Sequence, residues 1–383
     1  MSYSVTTIES LHSVPADEWN ILAGERFPFA RYEFLVALEN NNAVGKEFGW
    51  ITHFFLAYNA KHQLVGALPL YLKYNSYGEF VFDWAWADAY HRHNIPYYPK
   101  LVVSIPYTPA TGPRILVNPS SDYNNVATAL IDAALEFAET NQLSSFHCLF
   151  TNEKDTDFFR HDPRFMLRLG CQFHWTNNNY KDFNDYLEVF TSKKRKQIKR
   201  ERRIAREQDI EFEILNGSDA SEQHWDIYHR FYESTFERKS GIPTLSKGFF
   251  MEIAQTMPEN IVLVMAKHHG EYVASAFNLK GSDTLYGRHW GCSEHFDNLH
   301  FEACYYQGLD YCIEHGLKHF EPGAQGEHKI ARGFMPTPTW SAHWIANPSF
   351  KESIVQFLAH ETRGMHHYID ELTQHSPFKK EQP

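Results

Sequence analysis

The chain has 383 residues, of which 43% are hydrophobic, 22% charged and 16% aromatic, with a formal net charge of −11. That length favours two domains over one, and the acidic balance excludes a protein dedicated to coating nucleic acid or an anionic membrane. Five scattered cysteines (Cys148, Cys171, Cys292, Cys304 and Cys312) without a CxxC pair, no opening signal peptide and no apolar run of about 18 residues lead us to expect a soluble cytoplasmic protein with reduced thiols.

Ser10 to Ala23 carries apolar residues at Leu11, Val14, Trp19, Ile21 and Leu22 and reads as a short helix, continued in helical style by Phe34 to Leu38. The period then changes. Trp50 to Tyr58 (WITHFFLAY) and Gln63 to Tyr74 (QLVGALPLYLKY) read as strands around the polar turn Asn59 to His62, and Phe80 to Trp86 as a third, very aromatic strand. Asn124 to Thr140 spaces Val126, Leu130, Ala133, Ala134 and Phe137 as a helix does, and Ser144 to Phe150 follows as a strand.

The second half repeats this plan. Ile261 to Lys267 and Tyr272 to Lys280 make a hairpin, Thr284 to Trp290 a third strand, Phe301 to His315 a helix closed by Gly316, and Lys318 to Glu321 a final strand. Hairpin, strand, helix, strand, twice over, predicts a duplicated α/β (α+β) unit with mixed sheets flanked by helices. The expected division is a first domain over 1–185, a connecting helix over 186–210, and a second domain over 211–383 that includes a C-terminal helix from Ser349 to Leu372.

The connecting helix has the most unusual composition. Ser192 to Glu207 (SKKRKQIKRERRIARE) holds nine basic and two acidic residues, +7 in a protein whose remainder sums to −18. Ile198, Ile204 and Ala205 are its apolar contacts, so a largely solvated helix is expected. Localised positive charge on an acidic protein suits an anionic partner, and Lys193, Arg195, Lys199, Arg202 and Arg203 are the expected contacts to the phosphates of coenzyme A or of an aminoacyl-tRNA.

Chemistry concentrates in Phe320 to Phe334, FEPGAQGEHKIARGF. Glu321, Glu327, His328, Lys329 and Arg332 fall within twelve positions of a strand end, and Gly323, Gly326 and Gly333 supply backbone freedom. Strand ends in open α/β sheets are common ligand sites. Acyl transfer to an amine needs a base for the amine proton and donors for the oxyanion on the attacked carbonyl. Glu321 or His328 suits the base, Lys329 joins them as a catalytic candidate, and Lys329 and Arg332 suit a phosphate or carboxylate. Gln325 lies in the same loop.

Further substrate-binding candidates are Arg238 at a helix end before Gly241-Ile242-Pro243, Arg288 and Trp290 sharing one face of their strand with His289 on the other, and Glu302 at the start of the following helix, where an acidic residue also suits the helix dipole. In the first half, the aromatic, proline-punctuated stretch 80–116 offers Asp83, Tyr107 and Arg114 for recognition of a sugar, peptide or ring. The 23 histidines include no HExxH, so no metal is expected. GxSxG, Walker A, GxGxxG and the Q/RxxGxG/A pyrophosphate loop are likewise absent, which disfavours acetyl-CoA as donor.

Several of these segments stand in the order seen in one known group. The basic stretch SKKRKQIKRERRIA, then FYESTFERKSGIPTLSKGFF (231–250), then VASAFNL in the hairpin, the helix after Asn298, and HFEPG…HKIARGF resemble Fem-type peptidyltransferases and their FemAB-like relatives. The last element is similar to that family's strand and loop DFGG…FKxGFG. The likeness covers nearly the whole chain for the FemAB-like predicted N-acyltransferases and about the second half for the Fem ligases. It implies two tandem GNAT-like domains and transfer of an acyl or aminoacyl group from acyl-CoA or aminoacyl-tRNA, as co-substrate and not as tightly bound cofactor, to an amine on a small molecule or a peptidoglycan-precursor-like peptide. The basic helix, from its charge, stays a candidate contact for tRNA or for coenzyme A. The alternative is a non-catalytic GNAT-like protein that binds a peptide or glycan. One departure is visible: setting Gly333-Phe334 on the family's Gly-Phe puts Ala331 where those ligases carry lysine, with Lys329 and Arg332 flanking it.

Overall fold

The structure, a computed structural model, describes residues 3–324 and 326–379. The chain divides into two compact units, Met1–Gly170 with Pro338–His367, and Cys171–Thr337 with Tyr368–Pro383.

Unit 1 runs β1 (Ser4–Ile8), α1 (Ala16–Ala23), α2 (Tyr32–Asn40), β2 (Trp50–Thr52), β3 (Phe54–Tyr58), β4 (Leu64–Leu68), β5 (Leu70–Lys73), α3 (Trp84–Arg92), β6 (Lys100–Val103), β7 (Leu116–Val117), α4 (Tyr123–Thr140), β8 (Ser145–Thr151) and α5 (Glu153–His161). β9 (Met166–Thr176) then leads the chain into unit 2. The strands expected at 50–58 and 63–74 are each split between two sheets. β1, β3, β4 and β7 form one antiparallel sheet, while β2 and β5 pair in another with β6 and β8. Pro69 stands between β4 and β5, where a missing N–H interrupts a ladder. α4 buries Val126, Leu130, Ile131, Ala134 and Ala138 along one stripe, in the core that also holds Phe55, Leu101 and Phe146. Its start is capped by Asp122, which accepts from the Asn125 N–H.

Two expectations need correction here. Phe80 to Trp86 is not a strand. Gly78 (φ +78°) and Phe80 (φ +59°) turn the backbone, α3 begins at Trp84, and Glu79 and Asp83 are drawn inside to Lys100. The place of the third strand belongs to β6, parallel to β8 with Leu101 opposite Phe146. The C-terminal segment also does not belong wholly with the second half. β15 (Met335–Ile345) pairs its later residues with β8, Ala342 opposite Cys148, and the following helix packs Ile354 and Leu358 with Trp86, Tyr90 and Met166 of unit 1.

Unit 2 continues with α6 (Phe183–Glu188), α7 (Ser192–Glu207), β10 (Ile210–Leu215), α8 (Glu222–Arg238), α9 (Lys247–Thr256), β11 (Ile261–His268), β12 (Glu271–Lys280), β13 (Thr284–Cys292), α10 (Leu299–Phe301), α11 (Gln307–Glu314) and β14 (His319–Glu321). After β15 the chain ends in α12 (Pro348–Gln374). The sheet order is β10-β11-β12-β13-β14-β9, antiparallel except for the β13–β14 pair. The basic segment is helical over the expected sixteen residues. The helix expected from Phe301 is one rod in two pieces, joined by a π turn over Glu302–Tyr306, and Gly316 follows its end at φ +65°. Leu309, Cys312 and Ile313 meet Trp175, Leu285 and Phe320 in the core of this unit.

Candidate active site in unit 2

The site lies where two parallel strands part. β13 and β14 pair only from Thr284–His319 to Tyr286–Glu321. Beyond that point β13 runs on to Cys292, whereas the other chain turns away at Pro322 and Gly323 (φ +92°). Gly287 marks the fork: a Cβ there would stand 3.1 Å from the Pro322 Cα, so a side chain would press Pro322 back by a few tenths of an ångström. The β12–β13 register shifts between Phe277–His289 and Asn278–Gly287, which leaves Arg288 as the extra residue of a bulge.

The bulge breaks the expected alternation. His289 packs its ring 4.9 Å from Tyr232 of α8, and Arg288 is coupled electrostatically to Tyr228 and Tyr232 of the same helix and to Glu321. Trp290 faces the other way, its ring 5.3 Å from His300. Arg288 and Trp290 therefore do not share a face.

Past the fork, 327–332 winds into a short 3-10 helix that buries Lys329, Ile330 and Arg332 and leaves Glu327 and His328 exposed. Lys329 Nζ donates to the Gly323 carbonyl at 2.6 Å, and burial pulls its ammonium down to about 8. His174 of β9 stands 3.8 Å from Glu321. Burial, with Lys329 and His319 adding to it, holds His174 neutral with a pKa of about 3. His328 meets the Tyr305 hydroxyl at 2.9 Å. His300 is lowered to about 4, first by burial and then by the charges of His328, Arg332, Lys329 and Lys239. Lys329 and Arg332 thus supply the positive charge of this neighbourhood, and His174 and His300 stand in it as neutral imidazoles. Beside it, a cavity of about 570 Å³ is lined by His174, Thr176, Asn178, Tyr180, Gly333 and Thr337 among others.

The sequence matches the FemAB-like family model, described as peptidoglycan biosynthesis/recognition, over residues 10–380. This chain belongs to the FemAB-like family. No curated protein matches it significantly. Among solved structures, FemX is similar at TM-score 0.52 and 12% identity, covering 91% of this chain and 100% of that one. The C-terminal domain of a putative lysylphosphatidylglycerol synthetase from Agrobacterium fabrum matches at TM-score 0.54 and 9% identity, covering 90% and 95%. L-PGS from Bacillus licheniformis matches at TM-score 0.52 and 12% identity, covering 85% and 94%. At these identities the likeness is one of fold, and it agrees with the tandem GNAT-like plan expected from the sequence.

In this FemAB-like chain the basic helix is two-sided. Ile198, Glu201, Arg202 and Ala205 are buried, at the spacing of one helical stripe. Arg202, expected to face solvent, instead bonds Glu302 (2.9 Å) and Asp310 (2.5 Å). Glu302 is buried in that pair and also accepts from Gln307, so it holds the π turn against α7 and is not open to a ligand. Glu201 accepts from Arg332 Nη2 (2.9 Å) and from the Tyr306 hydroxyl. Arg332 also donates to the His328 carbonyl and stacks over Phe301, and among the described residues its buried Nε has no hydrogen-bond partner. Of the remaining expected contacts on α7, Lys193, Lys199 and Arg203 are exposed and Arg195 pairs with Glu188 at 2.6 Å.

Arg238 is exposed at the end of α8 and turns back onto Ser234 and Cys292 carbonyls. Gln325 lies outside the described residues. Asp83, Tyr107 and Arg114 are buried in unit 1 with internal partners. Asp83 bonds Lys100 and Tyr97, Tyr107 donates to the Ala43 carbonyl (2.7 Å), and Arg114 donates to the Leu149 (2.7 Å) and Ala110 (2.6 Å) carbonyls. They are not surface contacts because each satisfies a buried backbone or charge. Two neighbours of the site were missed from sequence. His174 sits in an ordinary aromatic strand and gives no signal. Glu201 is one of only two acids in a basic helix, which is a signal once that helix is allowed an inner face. Among the described residues no cluster of His, Cys, Asp and Glu is placed to hold a metal ion, and no helix is long and apolar enough to cross a membrane.

Proposed function

We propose that unit 2 is an acyl- or aminoacyltransferase that moves its group from acyl-CoA or aminoacyl-tRNA to an amine, the acceptor being a peptide of the peptidoglycan-precursor kind. Family membership supports a transferase, and the names of the similar structures, FemX and lysylphosphatidylglycerol synthetase, fit it. The observation that carries the finer assignment is the fork of β13 and β14. There a neutral imidazole (His174) lines the cavity, with a carboxylate (Glu321) 3.8 Å behind it and a buried amine of lowered pKa (Lys329) acting on it electrostatically.

In this scheme the acceptor nitrogen attacks the donor carbonyl carbon. Its proton passes to Glu321, and the negative charge that develops on the carbonyl oxygen is met by the Lys329 ammonium. The C–N bond forms as the bond to the leaving sulfur or ribose oxygen breaks, and that atom departs with a proton. Arg288 and the exposed basic residues of α7 hold the anionic part of the donor. The cavity, within the size range of small-ligand sites, takes the acceptor. Five unpaired cysteines accord with the cytoplasm as the place of reaction.

The test is single-turnover transfer from labelled acyl-CoA or charged tRNA to a muramyl-pentapeptide, with the wild type and Glu321→Gln. Label should reach the acceptor amine, and Glu321→Gln should slow transfer about 100-fold or more. Tight pentapeptide binding with no transfer from either donor would refute the scheme in favour of a binding protein.

A further inference from the structure

Unit 1 carries an aromatic surface that the transfer chemistry does not use. Tyr74, Tyr77, Phe80, Phe82 and Trp84 lie within eleven residues and are 42 to 67% exposed. Rings normally drive burial, so a concentration of exposed ones marks a recognition surface. Tyr77 and Trp84 stand 5.7 Å apart at 76°, and Phe82 and Trp84 6.3 Å apart at 68°, so Trp84 joins the other two rings edge to face in one angled row.

Ahead of α3, which begins at Trp84, the segment has no regular structure, yet it is held from beneath at nearly every other residue. Asn75 donates to the Phe48 carbonyl (3.2 Å) and Lys73 to the Tyr77 carbonyl (3.1 Å). Lys100, with no exposed surface, bonds Ser76 (2.9 Å), Glu79 (2.8 Å) and Asp83. Tyr97 donates to Asp83 (2.5 Å), and Arg168 to the Phe82 carbonyl (2.8 Å). Gly78 lies so close to Tyr107 that a Cβ would stand 2.6 Å from its ring, and Phe80 takes a left-handed φ of +59°. Buried charges, one oxygen each on Glu79 and Asp83 that has no hydrogen-bond partner among the described residues, and a strained phenylalanine all cost stability. Their joint effect is to hold apolar rings in water in one fixed arrangement.

We infer that this row is a carbohydrate-binding surface that stacks the apolar faces of a neutral chain of hexopyranose rings. Three features select that occupant. Every ionisable group of the segment, Glu79 and Asp83, is buried, as are Lys73 and Lys100 beneath it, so the surface is uncharged. Unit 1 holds 14 Lys and Arg against 20 Asp and Glu, which disfavours an anionic bilayer. The backbone that carries the rings is held in place, and their edge-to-face contacts leave ring faces turned in successive directions, as the twist of a glycan chain presents its sugars, whereas membrane insertion needs no fixed order. Sugar hydroxyls reach the phenols of Tyr74 and Tyr77 at the edge of the row.

The test is titration of the full chain with chitohexaose and cellohexaose, read by tryptophan fluorescence and affinity electrophoresis. Binding of at least one glycan is expected, weakened up to about tenfold each by Tyr77→Ala and Trp84→Ala and unchanged by Phe357→Ala, an exposed aromatic elsewhere in unit 1. Melting temperatures should stay level, because these side chains are exposed. Glu321→Gln should bind as the wild type does, so that failure of the transfer scheme leaves this result untouched. Absence of binding to both glycans, or equal binding by all variants, would overturn the assignment. So would dependence on these rings of flotation with phosphatidylcholine vesicles, or of dimerisation in sedimentation, in place of glycan binding.

Discussion

Replacing Lys329 by methionine should raise stability and remove activity together. The lysine is 2% exposed, and among the described residues its ammonium has one acceptor, the Gly323 carbonyl, and no carboxylate within 4 Å. Burial lowers its pKa from 10.5 to about 8. Between those values the unfolded chain keeps a proton that the folded one releases, so folding stability rises with pH across that window. The rise is about 3 kcal/mol at 1.36 kcal/mol per pH unit. Below pH 8 the wild type carries the whole cost of burying the charge, and Lys329→Met, similar in volume, is free of it. At pH 7 the variant should gain up to about 3 kcal/mol, or roughly 6 to 12 °C in the melting of unit 2, and the gain should fade towards pH 10.5. The measurement is calorimetric melting at pH 7, 9 and 10.5 beside single-turnover transfer, which should fall about 10² to 10³-fold on losing a charged donor to the oxyanion. A variant that melts at or below the wild type at pH 7, or that keeps its turnover, would show that Lys329 is neither a strained charge nor part of the chemistry.

Arg332→Met should destabilise by about 3 to 5 kcal/mol, seen in urea unfolding, because Glu201 is left buried without its partner cation. Arg202→Met should do the same through Glu302, and adding Glu302→Gln should recover much of the loss if the pair acts as an ion pair. Gly333→Ala places a Cβ 1.9 Å from the Tyr186 hydroxyl at φ +89°, so it should lower the melting temperature and disturb the loop together, and a wild-type melting curve would contradict the packing described. Lys199→Glu with Arg203→Glu, both exposed, should leave melting unchanged while weakening donor binding and flattening its salt dependence.

The second half was more legible than the first for a physical reason. β11, β12 and β13 are long, continuous and paired with sequence neighbours, so their period shows through. In unit 1 the apolar runs change sheets at His53 and Pro69, and a periodic pattern does not report which partner a strand takes. The aromatic alternation at Phe80 to Trp86 imitates a strand, but Phe80, Phe82 and Trp84 are exposed and only Trp86 enters a core. At the site, the loop 320–334 was recognisable from glycines beside ionisable groups. The choice among its residues was not, since setting the segment on Gly333-Phe334 drew attention to Ala331, while the fold buries Lys329 and Arg332. The bulge at Arg288 reversed a face assignment that strict alternation had made.

The basic helix shows why composition alone overstates a binding surface. Arg202 is spent on the fold, held by Glu302 and Asp310, and Glu201 is an anchor for Arg332. What remains for an anionic donor is the exposed set Lys193, Lys196, Lys199, Arg200, Arg203 and Arg206. From Lys193 to Arg206 at 1.5 Å per residue this set extends about 20 Å, longer than the cluster of phosphates on one coenzyme A and suited to successive phosphates of a polynucleotide. Counterion release then discriminates between the donors. A tRNA laid along the whole set should give a steep fall of affinity with salt, which Lys199→Glu with Arg203→Glu would reduce by about two contacts. Coenzyme A, touching a few of these residues, would give a shallow fall. A steep slope unchanged by the double variant would place the nucleic acid elsewhere and leave the outer face of this helix as solvated charge.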